Sequence, residues 1–228
     1  MEKLLLIFFT GVTAGFINVN AGGGSLITLP ALIFLGLSPA MANCTNRIAI
    51  FCGTFSATAN FKNKGIFDWK LGCYLSLPAV VGAIIGSSIV VRIPDNIFRI
   101  ILPSVMILIL IIILLNPKNS INHSPKELTM KKKILLGISF FGIGIYGGFI
   151  QVGVGFIIMA VLTLITGWSL VTINSLKVFI VMVYTIVSLP IFIFYGKVDV
   201  LLGVVLSLGS ILGSYLGSNF VIAKGDKW

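Results

Sequence analysis

Charged residues are rare in this chain. They make up 10% of the 228 residues, whereas soluble domains carry about 25%, so the composition excludes an ordinary soluble protein. Hydrophobic residues reach 57% and the mean hydropathy is +1.12, which predicts an all-α integral membrane protein. The net charge of +10 does not indicate nucleic-acid binding, because lysine and arginine lie mainly between apolar runs, as topology signals do.

Histidine, cysteine and acidic residues are equally scarce. The single histidine, His123, lies in a charged loop, which excludes histidine-based zinc or triad chemistry within the membrane. The three cysteines form no CxxC motif and no paired framework. No carboxylate lies inside an apolar segment, so a proton relay has no candidate residue, and sodium coupling or uniport stays open. We expect no enzymatic activity, no metal centre and no cofactor.

Nine apolar segments are separated by glycine-rich breaks or charged turns. Their predicted bounds are 4–19, 25–37, 39–61, 71–91, 97–115, 134–150, 156–166, 170–195 and 200–223. The second and seventh segments are too short to cross a bilayer at about 1.5 Å per residue. Each of these short segments follows a glycine-rich break, the first at residues 15–24 and the second at 148–155, so both breaks interrupt the chain at membrane depth.

The first four segments recur in the last four. Upstream of Gly36 the repeat offset is 133 residues, which pairs 15–17 with 148–150 and Gly22 with Gly155. From Gly36 onward the offset is 131, with the matches Gly36/Gly167, Asn43/Asn174, Asp68/Asp199, Gly82/Gly213 and Gly86/Gly217. We therefore predict a first transmembrane repeat (1–95), a linker helix with a cytoplasmic loop (96–130) and a second transmembrane repeat (131–228).

The lysine distribution predicts how the repeats are oriented. The lysine-rich loop at 116–133 is the best cytoplasmic marker, and a single linker helix then makes the two halves inverted copies, as is typical of secondary transporters. If each glycine break merely interrupts one crossing helix, the halves become parallel instead. We favour inversion because each broken pair totals about 30 residues, which is too long for one crossing.

The glycine breaks are candidate binding elements. A broken helix in lipid leaves backbone groups that protein or water must satisfy, and helix N-termini bind anions. The alternative is close helix packing through small residues, which is how we interpret Gly82, Gly86, Gly213 and Gly217. The candidates are Asn18, Asn20, Gly22, Gly23, Gly24 and Ser25 in the first half, and Gln151, Gly153 and Gly155 in the second.

Two cations lie inside apolar segments without an acidic neighbour. Arg47 and Lys177 occupy nearly symmetric places, and an intramembrane charge costs about 2.5–3.5 kcal/mol on insertion scales. We interpret them as ligands of a shared anion; the alternative is snorkelling of both heads to the interface. Asn43 and Asn46 share the helix face of Arg47, and Asn174 lies three residues before Lys177. These amides either bind oxyanion oxygens or join helices.

The motifs in order resemble a known family. The first half carries three glycines at 22–24, then Pro30, Gly36 and the run Ala42-Asn43-Cys44-Thr45-Asn46-Arg47. The second half carries Tyr146-Gly147-Gly148-Phe149, then Gly153, Gly155 and Asn174-Ser175-Leu176-Lys177. Together they resemble the sulfite exporter TauE/SafE family of membrane permeases, over nearly the whole chain.

The resemblance implies a substrate class and a location. It implies transport of small anions, often sulfite, sulfonates or sulfoacetate, in a prokaryotic plasma membrane, and it brings Thr45 into the candidate site. Two departures stand in the second half: Leu176 replaces the family's usual threonine, and Gln151-Val152 replaces a more usual Gly-Pro. The resemblance therefore implies a second half-site that differs in substrate or affinity.

The predicted function is translocation of a small anion by alternating access, with the bilayer, the anion and a possible sodium ion as partners. A non-transporting scaffold or subunit is one alternative, and it predicts that polar residues at the breaks can become apolar without consequence. An intramembrane thiol-disulfide carrier is another. It needs paired cysteines at equivalent places, yet Cys44 aligns with Ser175 and Cys73 with Val204. The anion, the direction of transport and the oligomeric state stay open.

Overall fold

The computed structural model describes residues 2–115 and 128–225. In these two stretches the chain forms nine α-helices and no β-strand, which confirms the all-α class. The helices are α1 (Glu2–Asn20), α2 (Ser25–Phe34), α3 (Pro39–Asn63), α4 (Trp69–Val90), α5 (Asp95–Leu115), α6 (Met130–Phe149), α7 (Val154–Thr166), α8 (Leu170–Phe194) and α9 (Val200–Lys224). Six of them, α1, α4, α5, α6, α8 and α9, are long and apolar enough to cross a membrane.

Each predicted segment coincides with a helix to within a few residues. The largest difference at a start is at α6, which begins at Met130 rather than at residue 134, because Thr129 is extended and the lysines at 131–133 form the first turn. The largest difference at an end is at α2, which ends at Phe34 rather than at residue 37. Gly36, two residues further on, has a positive φ. Residues 116–127, which include His123 and most of the predicted lysine-rich loop, lie outside the described residues.

Matching polar caps start the repeat-equivalent helices. The Asp68 side chain accepts a hydrogen bond from the backbone N–H of Leu71 at 3.1 Å, and the Asp199 side chain accepts one from Leu202 at 2.9 Å. A carboxylate at this position satisfies a free N–H group and complements the helix dipole. Both aspartates therefore cap helices in the structure, Asp68 at α4 and Asp199 at α9.

Glycines bring two helix pairs into close backbone contact, α4 with α6 and α1 with α9. On α4, Gly82 and Gly86 lie against backbone carbonyl groups of α6. On α9, Gly213 and Gly217 lie against backbone carbonyl groups of α1. A Cβ atom at any of these positions would meet backbone closer than a normal contact allows, so the interpretation of these glycines as packing faces is confirmed.

The helices that precede the two breaks reach α3 from opposite ends. Near the start of α3, Asn43 Nδ2 donates to the carbonyl oxygen of Phe149, the last residue of α6, at 3.0 Å. Near the end of α3, Ala57 and Phe61 form a buried cluster with Val19 from the last turn of α1. Therefore α1 ends beside the end of α3, whereas α6 ends beside its start.

The two breaks meet at the centre of the molecule. At the first break Gly22 has a φ of +84°, which is unfavourable for a residue with a side chain, and Gly24 then lies against Ala14 and Asn18 of α1. The chain thus turns back along α1 before α2 begins. Gly22 is also in backbone contact with Gly155, its partner in the repeat, so neither position has room for a Cβ atom.

Candidate substrate site

Arg47 contacts the C-terminal end of α6, the helix that leads into the second break. Its side chain is fully buried, with 0% exposed. Nη1 donates to the carbonyl of Gly147 at 2.5 Å and to Gln151 Oε1, and Nη2 donates to the carbonyl of Gly148 at 3.1 Å. The guanidinium carbon lies 5.3 Å from the centre of the Phe192 ring. Since these carbonyls belong to the last turn of α6, the cation stabilises the negative end of that helix dipole.

Lys177 occupies the corresponding place at the other break. It is 1% exposed, and Nζ donates to the carbonyl of Val19 at 2.6 Å and to Asn174 Oδ1 at 2.5 Å, with Met159 Sδ at 3.5 Å. Val19 belongs to the last turn of α1. Each cation therefore contacts the broken helix of the other repeat, and neither head reaches the surface as snorkelling requires.

The centre of the molecule is left with uncompensated positive charge. Neither Arg47 nor Lys177 forms an ion pair with a carboxylate in the described part of the chain. The carbonyl groups at a helix C-terminus supply only about half an elementary charge. A buried cation without a full counter-charge is costly, so binding of an anion between the two cations would be electrostatically favourable.

Two asparagines of α3 contact the residues beside the breaks. Asn46 Nδ2 donates to Ser25 Oγ at 3.1 Å, which fixes the first turn of α2 against α3. Asn43 holds the end of α6, and its Oδ1 is buried with no partner among the described residues. Asn174 accepts from Lys177. Asn43 therefore joins α3 to the second break and Asn46 joins α3 to the first, whereas the hydrogen bond of Asn174 stays within α8.

Both breaks present backbone donors. Within the described residues, the N–H groups of Gly23 and Gly24 have no backbone acceptor, and the same holds for Val152 and Gly153. Gly153 has a φ of +69° and directly precedes α7, where a Cβ atom would collide with Ile109 of α5. Free N–H groups next to a helix start form a favourable anion environment.

Two small cavities adjoin these groups, and Asn18 lines both. The first lies between α1, α2, α3 and α9, and its polar lining comes from Asn18, Ser25, Thr28, Asn46 and Ser210. The second lies between the two breaks and is lined by Asn18, Thr54, Gln151, Gly155, Lys177 and two valines of α8. Asn18 and Gln151 are repeat partners at the offset of 133, so the second cavity combines the same position from both halves.

Some predicted site residues point elsewhere. Thr45 Oγ1 accepts from the backbone N–H of Asp199 at 2.9 Å, at the start of α9. Asn20 Nδ2 donates to the carbonyl of Phe16 at 2.7 Å, and Gly23 faces the ring of Phe156. Arg47 lines neither cavity. The structure brings Asn18, Gln151, Gly155 and Lys177 together in one cavity, and the other predicted residues do not line it.

The sequence interpretation missed three polar residues at the centre. Thr54 lines the second cavity, Tyr184 accepts a hydrogen bond from Gln151, and Thr28 lines the first cavity with its hydroxyl unpartnered among the described residues. Helix spacing offered a signal for two of them. Thr54 lies seven residues after Arg47 and Tyr184 seven after Lys177, and residues seven apart share a helix face.

Comparisons with known proteins find relatives along nearly the whole chain. The model of the family described as "Sulfite exporter TauE/SafE" matches residues 7–228. The probable membrane transporter protein YfcA of Escherichia coli (strain K12) is 34% identical over 233 residues, which cover 100% of this chain and 84% of YfcA. A probable membrane transporter protein of Haemophilus influenzae is 30% identical over 225 residues, covering 99% and 88%. No solved structure gives a significant match.

A third relative matches over a similar length. The probable membrane transporter protein ORF9 of a Sinorhizobium species is 28% identical over 224 residues, which cover 98% of this chain and 85% of the relative. The family match runs from residue 7, within α1, to beyond the end of α9, and six of the nine described helices are long and apolar enough to cross a membrane. The chain is therefore a multi-pass cell-membrane protein and belongs to the sulfite exporter TauE/SafE family of membrane transporters.

Proposed function

We propose that this protein is a secondary transporter that moves a small anion, a sulfur oxyanion or a short organosulfonate, by alternating access. The observation that carries the proposal is the pair of fully buried cations, Arg47 and Lys177, which lack a carboxylate partner in the described residues. Lys177 lines the cavity between the two breaks, and Arg47 donates to Gln151, which lines the same cavity. The family's description supports the sulfur chemistry of the substrate.

The proposed binding site combines charge with neutral donors. Lys177 supplies a positive charge directly at the cavity, and the ammonium group needs to give up only its weakest contact, Met159 Sδ at 3.5 Å, to bind an oxyanion. Asn18 and the free N–H groups of the breaks supply neutral hydrogen bonds. Most of the remaining predicted residues position the two breaks around the anion: Asn20, Gly22, Gly24, Ser25, Asn43, Asn46, Gly153, Gly155 and Asn174.

The helix directions support an inverted arrangement of the repeats. The repeat-equivalent helices α1 and α6 approach α3 from opposite ends, and Gly22 touches its repeat partner Gly155. Two inverted halves around a central site are suited to alternating access, because one half moves against the other about a fixed binding site. We propose the repeats at 1–95 and 131–228, with α5 as the linker.

The buried residues of the described helices bear on which ion could drive transport. The described helices bury no carboxylate at the centre, so we propose sodium coupling or uniport rather than proton coupling. Proteoliposomes distinguish these possibilities: a sodium gradient should accelerate uptake relative to a potassium gradient of the same size if sodium is coupled, and should have no effect on a uniporter.

The central test is uptake by purified protein in liposomes. Radiolabelled sulfite or a short labelled organosulfonate should accumulate in vesicles that contain the parent protein. Arg47→Gln and Lys177→Gln should each lower the rate by about tenfold or more, since each removes charge-assisted hydrogen bonds at the site. The matched control is Lys64→Gln, which removes an exposed lysine just after α3 and should transport at the parent rate.

The same variants separate transport from the scaffold alternative. A scaffold would carry no anion in any variant, and the two central substitutions would change only its stability. Folding is checked by size-exclusion chromatography and thermal unfolding in detergent. If correctly folded Arg47→Gln and Lys177→Gln transport as fast as the parent protein, the proposed anion site is wrong.

A further inference from the structure

Gln151 separates Arg47 from the central cavity. The side chain of Gln151 is 5% exposed and lines the cavity that Lys177 also lines, whereas Arg47 does not line it. Gln151 Oε1 accepts a hydrogen bond from Arg47 Nη1, and Gln151 Nε2 donates to Tyr184 Oη at 2.7 Å. An anion in the cavity therefore reaches Lys177 directly but meets the amide of Gln151 where the guanidinium would be.

The amide oxygen is the acceptor that an anion would most readily replace. Two of the hydrogen bonds of Arg47 go to backbone carbonyls of α6, Gly147 and Gly148, which are fixed by the helix. The third goes to Gln151, whose side chain can rotate away. A neutral amide oxygen forms a weaker hydrogen bond with a guanidinium than a charged oxyanion does, and Arg47 Nε still lacks a partner among the described residues.

The other half-site lacks this arrangement. Asn18, the repeat partner of Gln151, has a side chain one methylene shorter and lines the same cavity. It is not among the acceptors of Lys177, which are Val19 and Asn174 together with the sulfur of Met159. The two halves therefore differ in one respect that matters for binding: one cation is open to the cavity and the other is covered by a side chain.

We propose that Gln151 is an internal competitor of the transported anion: its amide oxygen occupies the position at Arg47 that an anion oxygen takes when the site is filled. The anion binds first to Lys177 and then displaces Gln151 Oε1 from Nη1, while Tyr184 determines how firmly the amide is held in place. This proposal rests on the proposed function, because it concerns the same anion and the same cavity.

The test is the affinity for sulfite of the purified full-length protein in detergent, measured by isothermal titration calorimetry. Gln151→Met keeps the length of the side chain and removes the acceptor, so it should tighten sulfite binding by about tenfold, the effect of removing one competing hydrogen bond to a charged group. In the double variant Arg47→Gln/Gln151→Met this gain should disappear. A direct ligand would behave in the opposite way, with weaker binding in Gln151→Met.

A second variant covers the possibility that Gln151→Met does not fold. Tyr184→Phe leaves Gln151 in place and removes the hydroxyl that holds its amide, so it should also tighten sulfite binding, by a smaller factor. Its matched control is Tyr195→Phe, at the exposed end of α8, which should bind as the parent does. Unchanged or weaker binding in a folded Gln151→Met, or in Tyr184→Phe if that variant alone folds, overturns the role of Gln151.

The outcomes for the two proposals are distinct. If the parent protein binds sulfite and the Gln151 and Tyr184 variants bind it no more tightly, only the competitor proposal is wrong. If neither the parent nor any variant binds sulfite or a short organosulfonate, the proposed function itself is wrong and the competitor proposal falls with it. Binding that is detectable in Gln151→Met and absent in the parent supports both.

Discussion

At the scale of single residues, the two buried cations perform the same task in different ways. Arg47 distributes its hydrogen bonds over two backbone carbonyls and Gln151, in directions set by the planar guanidinium. The ammonium group of Lys177 is a single point charge, and it donates hydrogen bonds to Val19 and Asn174. Each holds the end of a broken helix from the other repeat, so the residues proposed to bind the anion also hold the breaks in place.

The sequence predicted which residues are special but not their partners. Arg47 and Lys177 stand out because they are charges within apolar segments. That Gln151 lies between Arg47 and the cavity depends on the path of the chain after α6, where Ile150 is extended and no local pattern sets the direction of the next side chain. For Thr54 and Tyr184 the sequence offered the seven-residue spacing from Arg47 and Lys177, but which side of α3 and α8 faces the centre depends on the packing of the helices.

The first residue-scale prediction concerns the shape of the cation at position 47. Arg47→Lys retains the charge but cannot reach two helix carbonyls and Gln151 at once, because an ammonium lacks the planar fork of the guanidinium. Transport of sulfite in liposomes should fall by about tenfold, less than in Arg47→Gln if charge and geometry both contribute. Transport at the parent rate in Arg47→Lys would mean that charge alone is needed at this position.

At the scale of helices, the sequence specified the elements well and their pairing poorly. Apolar runs bounded by glycine, proline and charge located each of the described helices to within a few residues. The pairing of α1 with α9 and of α4 with α6 was not predicted. In a membrane an apolar helix face does not predict burial within the protein, because the surrounding lipid is itself apolar. Helix partners are instead selected by small residues, and only the three-dimensional structure shows which of these residues are in contact.

The element-scale prediction uses two neighbouring glycines on α6. Gly144 lies against the backbone of Ala79 on α4, whereas Gly142 has open space around its Cα atom. Gly144→Ala should destabilise the protein by about 1–3 kcal/mol, since the added methyl group forces α4 and α6 apart. Gly142→Ala should be neutral or slightly stabilising, because alanine favours the helix more than glycine does. Thermal unfolding in detergent compares the two variants.

The pair is informative because both substitutions add the same methyl group to the same helix. A general effect of replacing glycine in α6 would move the two melting temperatures equally. Equal destabilisation of Gly142→Ala and Gly144→Ala would therefore contradict the packing role of Gly144. A selective loss in Gly144→Ala would also predict weaker transport, because α6 ends at the carbonyl groups that Arg47 contacts.

At the scale of the whole molecule, the central contacts join corresponding elements of the two sequence repeats. Arg47 contacts the broken helix α6 of the second repeat, Lys177 contacts the broken helix α1 of the first, and Gly22 meets Gly155 between them. The relation is approximate, since Arg47 aligns with Val178 rather than with Lys177 at the repeat offset. Such inequality between otherwise related halves allows one half-site to be covered by Gln151 while the other stays open.

The whole-molecule prediction tests whether the repeats are inverted. Lys64 and Tyr195 are exposed, lie at the ends of α3 and α8, and are repeat partners at the offset of 131. Inverted repeats would place them on opposite sides of the membrane, and the lysine excess near residues 62–70 predicts a cytoplasmic Lys64. In a variant without Cys44, Cys52 and Cys73, Tyr195→Cys should react with a membrane-impermeant maleimide in right-side-out vesicles, and Lys64→Cys only in inside-out vesicles.

Two further conditions make the labelling decisive. Both single-cysteine variants should react fully after solubilisation in detergent, which establishes that each thiol is accessible from solvent. Sulfite uptake by the cysteine-free parent, at the rate of the unmodified protein, establishes that its fold is intact. Labelling of both positions from the same side would mean that the repeats are parallel, and α1 with α2, and α6 with α7, would then each have to count as one interrupted crossing.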